Sequence, residues 1–163
     1  MITTTLLMLS AAHAVGPEAS GTYTLTDSPA QVAQFKEEAV SKTLNSMNFA
    51  LRAIAGSRVE SAVTACAGYN IVVEGGTMKV KCDAKPWVTI NLDGTPSSYT
   101  NDQGVSYVVT ASQSGDKVTA TFAGDDASQT TIYNFAGGGL AVHKTINSEY
   151  FGEPLRWTNS YRK

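Results

Sequence analysis

The order of the predicted elements constrains the fold of this chain more than any other feature of its sequence. One short strand pattern, at residues 21–26, comes first, and a helical pattern then occupies about residues 28–67. From residue 69 to the end, apolar and polar residues alternate in short runs that turn residues separate. One helical insertion followed by consecutive hairpins is typical of an antiparallel barrel with a helical lid. The order of elements does not by itself indicate a chemistry.

The helical segment has a clear start and a predicted break. Ser28 is a helix-capping residue, and Pro29 suits the first helical position. Apolar residues then recur at spacings of three and four, which predicts one packed face and one solvated face. Gly56 interrupts this pattern, so the sequence predicts a second, shorter helix over residues 57–67.

The rest of the chain predicts strands joined by tight turns. Glycine, asparagine and aspartate between the runs favour hairpin turns. The predicted strands are 69–74, 77–83, 86–92, 105–112, 117–123, 129–135, 140–147 and 155–162, with a further short candidate at 97–100. Because that many strands leave exposed edges unless the sheet closes, we expect a mainly β fold. The predicted fold is a closed antiparallel up-and-down β-barrel of about 8–10 strands, with a helical pair inserted between strands 1 and 2.

Length and charge narrow the class of protein. A chain of 163 residues, 42% of them hydrophobic, is long enough for one domain with a sizeable core. The formal net charge is −2, and the lysines and arginines are scattered singly. Such a chain has no basic stripe for phosphate backbones, so nucleic acid is not an expected partner.

The first fourteen residues resemble a secretion signal in composition. They carry no charged side chain, contain the apolar run Leu6-Leu7-Met8-Leu9, and end in Ala12-His13-Ala14, which fits a signal-peptidase site. The segment is short and lacks a positive start, which suggests a truncated signal peptide at 1–14 followed by a single domain at 15–163. This interpretation predicts a periplasmic or secreted protein without a transmembrane segment. The alternative is a cytosolic chain with an apolar terminus.

The two cysteines, Cys66 and Cys82, form no CxxC motif and no metal-ligand spacing. In an exported protein we expect them to form a disulfide between the end of the helical segment and a strand. Closing a loop of that length contributes about 3 kcal/mol in the chain-entropy account. The alternative is two buried thiols that pack as small apolar residues.

Several short stretches carry a family resemblance. They are Met47-Asn48-Phe49, Arg52, Ile54, Ala55, Arg58, Pro96 after Asp93-Gly94, Ile132-Tyr133, Ile146-Asn147-Ser148, Phe151, Pro154-Leu155 and Tyr161-Arg162-Lys163. This set is similar to a group of exported bacterial lipocalin-like proteins. The element order also resembles the intracellular fatty-acid-binding proteins, which are ten-strand barrels of the same calycin type. The resemblance implies a barrel with an internal ligand.

One position departs from that family pattern. Fatty-acid-binding proteins resemble one another in an Arg-x-Tyr motif of the last strand, whose arginine meets the ligand carboxylate. This chain has Asn159-Ser160-Tyr161 instead. The resemblance therefore carries over Tyr161 alone and leaves the carboxylate partner missing.

Candidate ligand-binding residues follow from the predicted strand phases and the helical segment. They are Phe49, Arg52, Tyr107, Phe122, Tyr133, Lys144, Trp157 and Tyr161. Lys144 shares its strand phase with Val142 and Ile146, so it points into the barrel, where it meets an anionic ligand. A register bulge or a buried ion pair would explain that lysine equally well. Arg52 and Arg58 either turn toward the barrel mouth or compensate charge at a helix end, and compensation is the favoured interpretation for Arg58.

The sequence gives little support for catalysis. No GxSxG motif occurs, and His143 is interpreted as a surface or partly buried strand residue. No cofactor, metal or catalytic residue is expected. The leading hypothesis is non-enzymatic binding of a small, mostly apolar or amphipathic ligand in the bacterial envelope.

Two alternatives remain open. The first is a structural or protein-interaction protein of the envelope whose barrel its own side chains fill. The second is an isomerase or lyase that uses Lys144 or His143. The volume of the barrel interior separates the ligand-binding protein from the filled barrel.

Overall fold

The computed structural model describes residues 14–163. The predicted signal peptide lies outside these residues except for Ala14. The helices are α1 (Pro29–Ser46) and α2 (Phe49–Ala62). The strands are β1 (Gly21–Leu25), β2 (Gly68–Glu74), β3 (Thr77–Cys82), β4 (Val88–Asn91), β5 (Ser97–Thr100), β6 (Ser106–Ser114), β7 (Lys117–Ala123), β8 (Ala127–Asn134), β9 (Gly139–Ser148) and β10 (Leu155–Arg162). Short 3₁₀ turns lie at Pro17–Ala19 and Ala136–Gly138.

The ten strands form one antiparallel sheet that curls into a nearly closed barrel. Their order is β4-β3-β2-β1-β10-β9-β8-β7-β6-β5, so the first strand pairs with the last. In that pairing Leu25 lies opposite Tyr161. The predicted mainly β barrel with a helical pair between strands 1 and 2 is confirmed.

The seam between β4 and β5 is the place where the sheet does not pair. Within residues 14–163, side chains span the seam instead of a backbone ladder. The Ser97 hydroxyl donates to the Thr89 carbonyl at 2.6 Å. In the connection, the Asn91 amide donates to the Thr95 carbonyl at 3.1 Å. Pro96, just before β5, has no N–H to contribute to a ladder.

The helix start is where the sequence predicts it. Ser28 and Gln31 form a reciprocal capping box in which the Gln31 N–H donates to Ser28 Oγ and the Ser28 N–H donates to Gln31 Oε1. Pro29 occupies the first helical position, where its missing N–H costs nothing.

The break between the helices differs from the prediction. It lies at Met47 and Asn48, both extended, and Gly56 sits inside α2. The Asn48 side chain caps α2 by accepting a hydrogen bond from the Leu51 N–H at 2.9 Å. A capping asparagine therefore outweighs the weak helix-breaking tendency of a lone glycine. The second helix also ends at Ala62, earlier than the predicted residue 67.

Two hydrophobic clusters hold the fold together. The larger fills the barrel with inward-facing strand residues such as Ile71, Met78 and Val118. In the smaller, Val40 and Val59 of the helices pack against Leu155 and Trp157 of β10. Because these β10 residues face inward, the helices cover one end of the barrel and form its lid. No helix within residues 14–163 is long and apolar enough to cross a membrane.

The predicted disulfide is present and fastens the chain after α2 to the barrel. Cys66 and Cys82 are bonded, with their Cα atoms 5.6 Å apart. Beside them the Asp83 carboxylate accepts hydrogen bonds from the Ala67 and Gly68 N–H groups at 3.0 and 2.9 Å. The connection between lid and sheet is therefore fixed by one covalent bond and two charge-assisted hydrogen bonds.

Candidate functional site

A cavity of about 510 Å³ lies inside the barrel, next to the lid. Its wall comes from the second half of α2, the β3–β4 turn, the loop before β6 and the inward faces of the strands. The residues at its rim are exposed, among them Arg58, Lys85, Asp102 and Gln103. Small-molecule sites generally have volumes of about 300 to 1,000 Å³, so this cavity has room for a ligand.

Five of the eight predicted ligand-binding residues line this cavity. They are Tyr107, Phe122, Tyr133, Lys144 and Trp157. Strand alternation places them there, because each belongs to the inward-facing set of its strand. The prediction that they contact a ligand stays a prediction.

The other three predicted residues lie elsewhere. Phe49 is 86% exposed at the start of α2. Arg52 donates from Nη2 to the carbonyls of Asn45 and Met47, so it compensates the end of α1. Tyr161 is buried in the barrel core, with its ring centre 5.0 Å from that of Tyr69. None of the three lines the cavity.

Aromatic rings form one wall of the cavity. Tyr99 and Tyr107 stack with their centres 6.2 Å apart, and Tyr99 meets Phe122 edge-on at 6.1 Å. Tyr99 is on β5, whereas Tyr107 and Phe122 are on β6 and β7. This wall offers flat apolar surface to a ligand.

Two tyrosines of the cavity stay in the neutral form. Tyr69 and Tyr133 pack edge-on with ring centres 6.2 Å apart. Burial raises the pKa of both hydroxyl groups, and for Tyr69 the neighbouring Tyr133 and Tyr161 raise it further. Their hydroxyls act as hydrogen-bonding groups and not as bases near neutral pH.

Lys144 brings a positive charge into the cavity. In the sheet it lies between Thr131 of β8 and Trp157 of β10, and its Nζ is 5.7 Å from the centre of the Trp157 ring. Burial lowers the pKa of the Lys144 ammonium from 10.5 to about 8. Lys85 adds to the lowering, and Asp83 opposes it.

Polar groups around Lys144 are already partly engaged. The Gln129 amide donates to Thr131 Oγ1 at 3.0 Å, and both residues line the cavity. The Trp157 indole N–H donates to the Thr64 carbonyl at 3.2 Å, which joins β10 to the connection after α2. The Trp157 ring therefore presents its face, and not its N–H, to the lysine.

His143 is a partly buried strand residue, as the sequence predicts. It is partly buried on the outer face of β9, and its Nδ1 lies 2.8 Å from the Thr158 hydroxyl across the β9–β10 pair. It does not line the cavity. His143 and Lys144 therefore face opposite sides of the sheet.

Sequence reasoning missed several residues of the cavity. They are Tyr69, Lys85, Tyr99, Gln129 and Thr131. A signal existed for Gln129 and Thr131, since they share the strand phase of Tyr133. Lys85 gave none, because a turn sets no inward direction. Arg58 lines the cavity, although compensation of helix-end charge was the favoured interpretation.

Comparisons with known proteins agree with this architecture. No family model and no curated protein matches the chain. By contrast, 54 chains of solved structure match it.

Three of these structures show the extent of the likeness. A fatty acid-binding protein from Drosophila melanogaster brain shares 17% identity at a TM-score of 0.52, covering 88% of this chain and 97% of its own. Zebrafish ileal bile acid-binding protein, solved with cholic acid, shares 15% identity at a TM-score of 0.53, and the match covers 90% of this chain and 98% of that protein. An abundant heat soluble (SAHS) protein from Ramazzottius varieornatus shares 13% identity at a TM-score of 0.57, and the match covers 91% of this chain and 97% of that protein. The chain therefore shares the β-barrel fold of these structures.

Proposed function

We propose that this protein binds a small, mostly apolar molecule inside its barrel and catalyses no reaction on it. The observation that carries the proposal is the cavity of about 510 Å³, whose wall combines aromatic rings with a few polar groups. Ligand sites are commonly built in this way. The named ligands of two structural neighbours, fatty acids and bile acids, support the proposal by analogy of fold.

The cavity argues against a barrel that its own side chains fill. A filled interior is packed at crystal-like density and leaves few voids larger than a water molecule. The space between Tyr107, Phe122 and Lys144 is far larger than that.

An isomerase or lyase is less well supported than a binding protein. Acid–base chemistry needs a second titratable group within hydrogen-bond reach of Lys144 or His143. Within residues 14–163, His143 hydrogen-bonds to Thr158 on the outer face, and no hydrogen bond or ion pair joins Lys144 to a titratable side chain.

We propose that the protein is a bacterial lipocalin-like protein of the envelope. It would function outside the cytosol, either in the periplasm or after secretion. The Cys66–Cys82 disulfide supports this proposal, because such bonds persist in oxidising compartments. Alkylation with a maleimide polymer, before and after reduction, measures the thiols in fractionated cells. We expect thiols in the envelope fraction only after reduction, whereas two free thiols in a cytosolic pool would contradict the proposal.

A neutral fluorescent probe tests ligand binding in the cavity. N-phenyl-1-naphthylamine brightens in apolar surroundings, and we expect one probe to bind per chain. Gln129→Trp adds bulk to the cavity wall and should weaken binding at least about tenfold, which is 1.4 kcal/mol. The matched control Thr130→Trp, on the outer face of the same strand, should bind like the natural protein. Absent binding, or equal binding by both variants, would refute the proposed cavity site.

A further inference from the structure

Lys144 lies in the cavity wall, and no ion pair within residues 14–163 includes it. The ion pair recorded within residues 14–163 joins Lys42 to Glu153, and neither residue lines the cavity. The face of Trp157 attracts the Lys144 ammonium at 5.7 Å but does not neutralise it. Lys144 is half-buried, and a desolvated cation is costly when no anion pairs with it directly, so this site favours a ligand that supplies a negative charge.

The charges that surround Lys144 reinforce that preference. Arg58 from α2 and Lys85 from the β3–β4 turn line the same cavity. The loop before β6 contributes the acidic residue of the cavity lining, Asp102. From the β3–β4 turn, the negative charge of Asp83 raises the pKa of Lys144. The cavity wall therefore holds three cationic side chains and one acidic one, and it attracts anions.

The last strand supplies no cation to this cavity. Asn159 is buried on β10, and its amide donates to the Asp27 carboxylate at 3.2 Å. Asp27 also accepts from the Ser160 N–H at 3.0 Å, so it ties the start of the lid to β10. Among the strands, the cation that lines the cavity thus comes from β9, through Lys144.

A polar neighbour and an aromatic wall complete an amphipathic site. Thr131 Oγ1 accepts a hydrogen bond from the Gln129 amide, so the hydroxyl proton of Thr131 is available to another acceptor. Thr131 lies directly opposite Lys144 across the β8–β9 pair. The aromatic wall of Tyr99, Tyr107 and Phe122 lies in the same cavity and accommodates an apolar body.

We infer that the cavity takes an amphipathic acid whose anionic group pairs with the Lys144 ammonium, and that this pairing keeps Lys144 charged as the pH rises. This inference rests on the ligand-binding function proposed above. It places the acidic group against β9 and the apolar part of the ligand against the aromatic wall.

The retained charge follows from the position of Lys144. With the cavity empty, burial and Lys85 hold the Lys144 pKa near 8, against the opposing effect of Asp83. An anion placed beside the ammonium favours the charged form and raises this pKa. Affinity for an acid should therefore be highest below pH 8 and fall as the pH rises toward 10. The neighbouring Tyr69 and Tyr133 stay neutral over this interval, because their pKa values are raised.

Two probes that differ by one acidic group test the inference. 1-Anilinonaphthalene-8-sulfonate is an anion at every pH used, and N-phenyl-1-naphthylamine is the same skeleton without the sulfonate. Between pH 7 and pH 10 we expect the affinity for the sulfonate to fall about tenfold or more, equivalent to 1.4 kcal/mol. The affinity for the neutral probe should change less than about twofold. Calorimetry at pH 8.5 in two buffers of different ionisation enthalpy should show uptake of protons with the sulfonate only.

Three variants assign the effect to Lys144. Lys144→Met keeps the length of the side chain, and it should lose the sulfonate's pH dependence and most of its affinity while still binding the neutral probe. Lys144→Arg stays charged throughout, so it should keep sulfonate binding at pH 10. Lys81→Met is the matched control, since Lys81 lies 5.9 Å from the Trp87 ring but outside the cavity.

The outcomes separate this inference from the proposed function. If neither probe binds the natural protein, the proposed function fails. If both probes bind but the sulfonate shows no proton uptake, or Lys144→Met binds it unchanged, the cavity binds ligands and the role given to Lys144 is wrong.

Discussion

Lys144 and Trp157 face each other across the β9–β10 pair, with the ammonium 5.7 Å from the indole ring. The face of the ring attracts the ammonium, and the indole N–H donates a hydrogen bond to the Thr64 carbonyl. This pair therefore links the cavity to the chain that follows the lid. It also leaves a charge inside the protein whose cost depends on pH.

Removing that charge should stabilise the empty protein at neutral pH. The Lys144 pKa lies near 8 in the folded protein and near 10.5 when unfolded, a difference worth about 3 kcal/mol. Between these values the unfolded chain binds more protons, so stability rises with pH. In urea titrations at pH 7.0 and 9.5, we expect the natural protein to gain stability at the higher pH. Lys144→Met should be more stable than the natural protein at pH 7.0, and its free energy of unfolding should change little between the two pH values.

Lys81→Met serves as the control for this experiment, because it removes a lysine outside the cavity. It should follow the pH dependence of the natural protein. A Lys144→Met variant that is less stable at pH 7.0 would mean that the ammonium stabilises the empty barrel.

Trp157→Phe should loosen the contact between lid and barrel. The substitution removes the hydrogen bond to Thr64 and part of a buried ring, so we expect a loss of about 1 to 3 kcal/mol in the free energy of unfolding. Trp87→Phe, at a ring that is 46% exposed, should cost less than about 0.5 kcal/mol. Equal losses in urea denaturation for the two variants would contradict a role for Trp157 in holding the lid.

The disulfide should contribute strongly to stability. Cys66 and Cys82 are sixteen residues apart, and closing such a loop is worth about 3 kcal/mol in the chain-entropy model. We expect Cys66→Ala combined with Cys82→Ala to lower the free energy of unfolding in urea by roughly that amount. Adding a reductant should destabilise the natural protein and leave the double variant unchanged. A response of the double variant to reductant would show that the loss has another cause.

Asn48→Ala should weaken the start of α2. The Asn48 side chain accepts a hydrogen bond from the Leu51 N–H at 2.9 Å. Loss of a cap of this type lowers the free energy of unfolding by about 1 kcal/mol. Asn45→Ala, inside α1, removes a similar side chain without removing a cap and should have a smaller effect on the urea midpoint. If the two substitutions cost the same, the cap does not set the break between the helices.

Most of the fold was predictable because its signals are local. Alternation and turn residues located every strand of the barrel, and Ser28 with Pro29 marked the start of the lid. The break at Asn48 was not predicted, because a capping asparagine inside an apolar periodic stretch resembles a solvated helix position. The helices also pack against β10, about a hundred residues further along the chain, and local spacing does not show that contact.

The cavity was predictable only where a strand set its direction. The strand phase pointed Lys144 and Tyr133 inward, and both line the cavity. Lys85 and Arg58 lie on a turn and near a helix end, where sequence spacing gives no direction, so their approach to the cavity depends on the tertiary fold. Tyr161 was predicted to line the cavity but belongs to the packed core, because alternation gives the side of the sheet and not the depth along the barrel.

The seam between β4 and β5 has a mechanical consequence. Each of these edge strands is four residues long, and a side-chain bond from Ser97 to Thr89 spans the junction. Val88 and Tyr99, one on each side, both reach the cavity. Separating β4 from β5 would therefore break the Ser97–Thr89 side-chain bond but no backbone ladder hydrogen bond of the sheet.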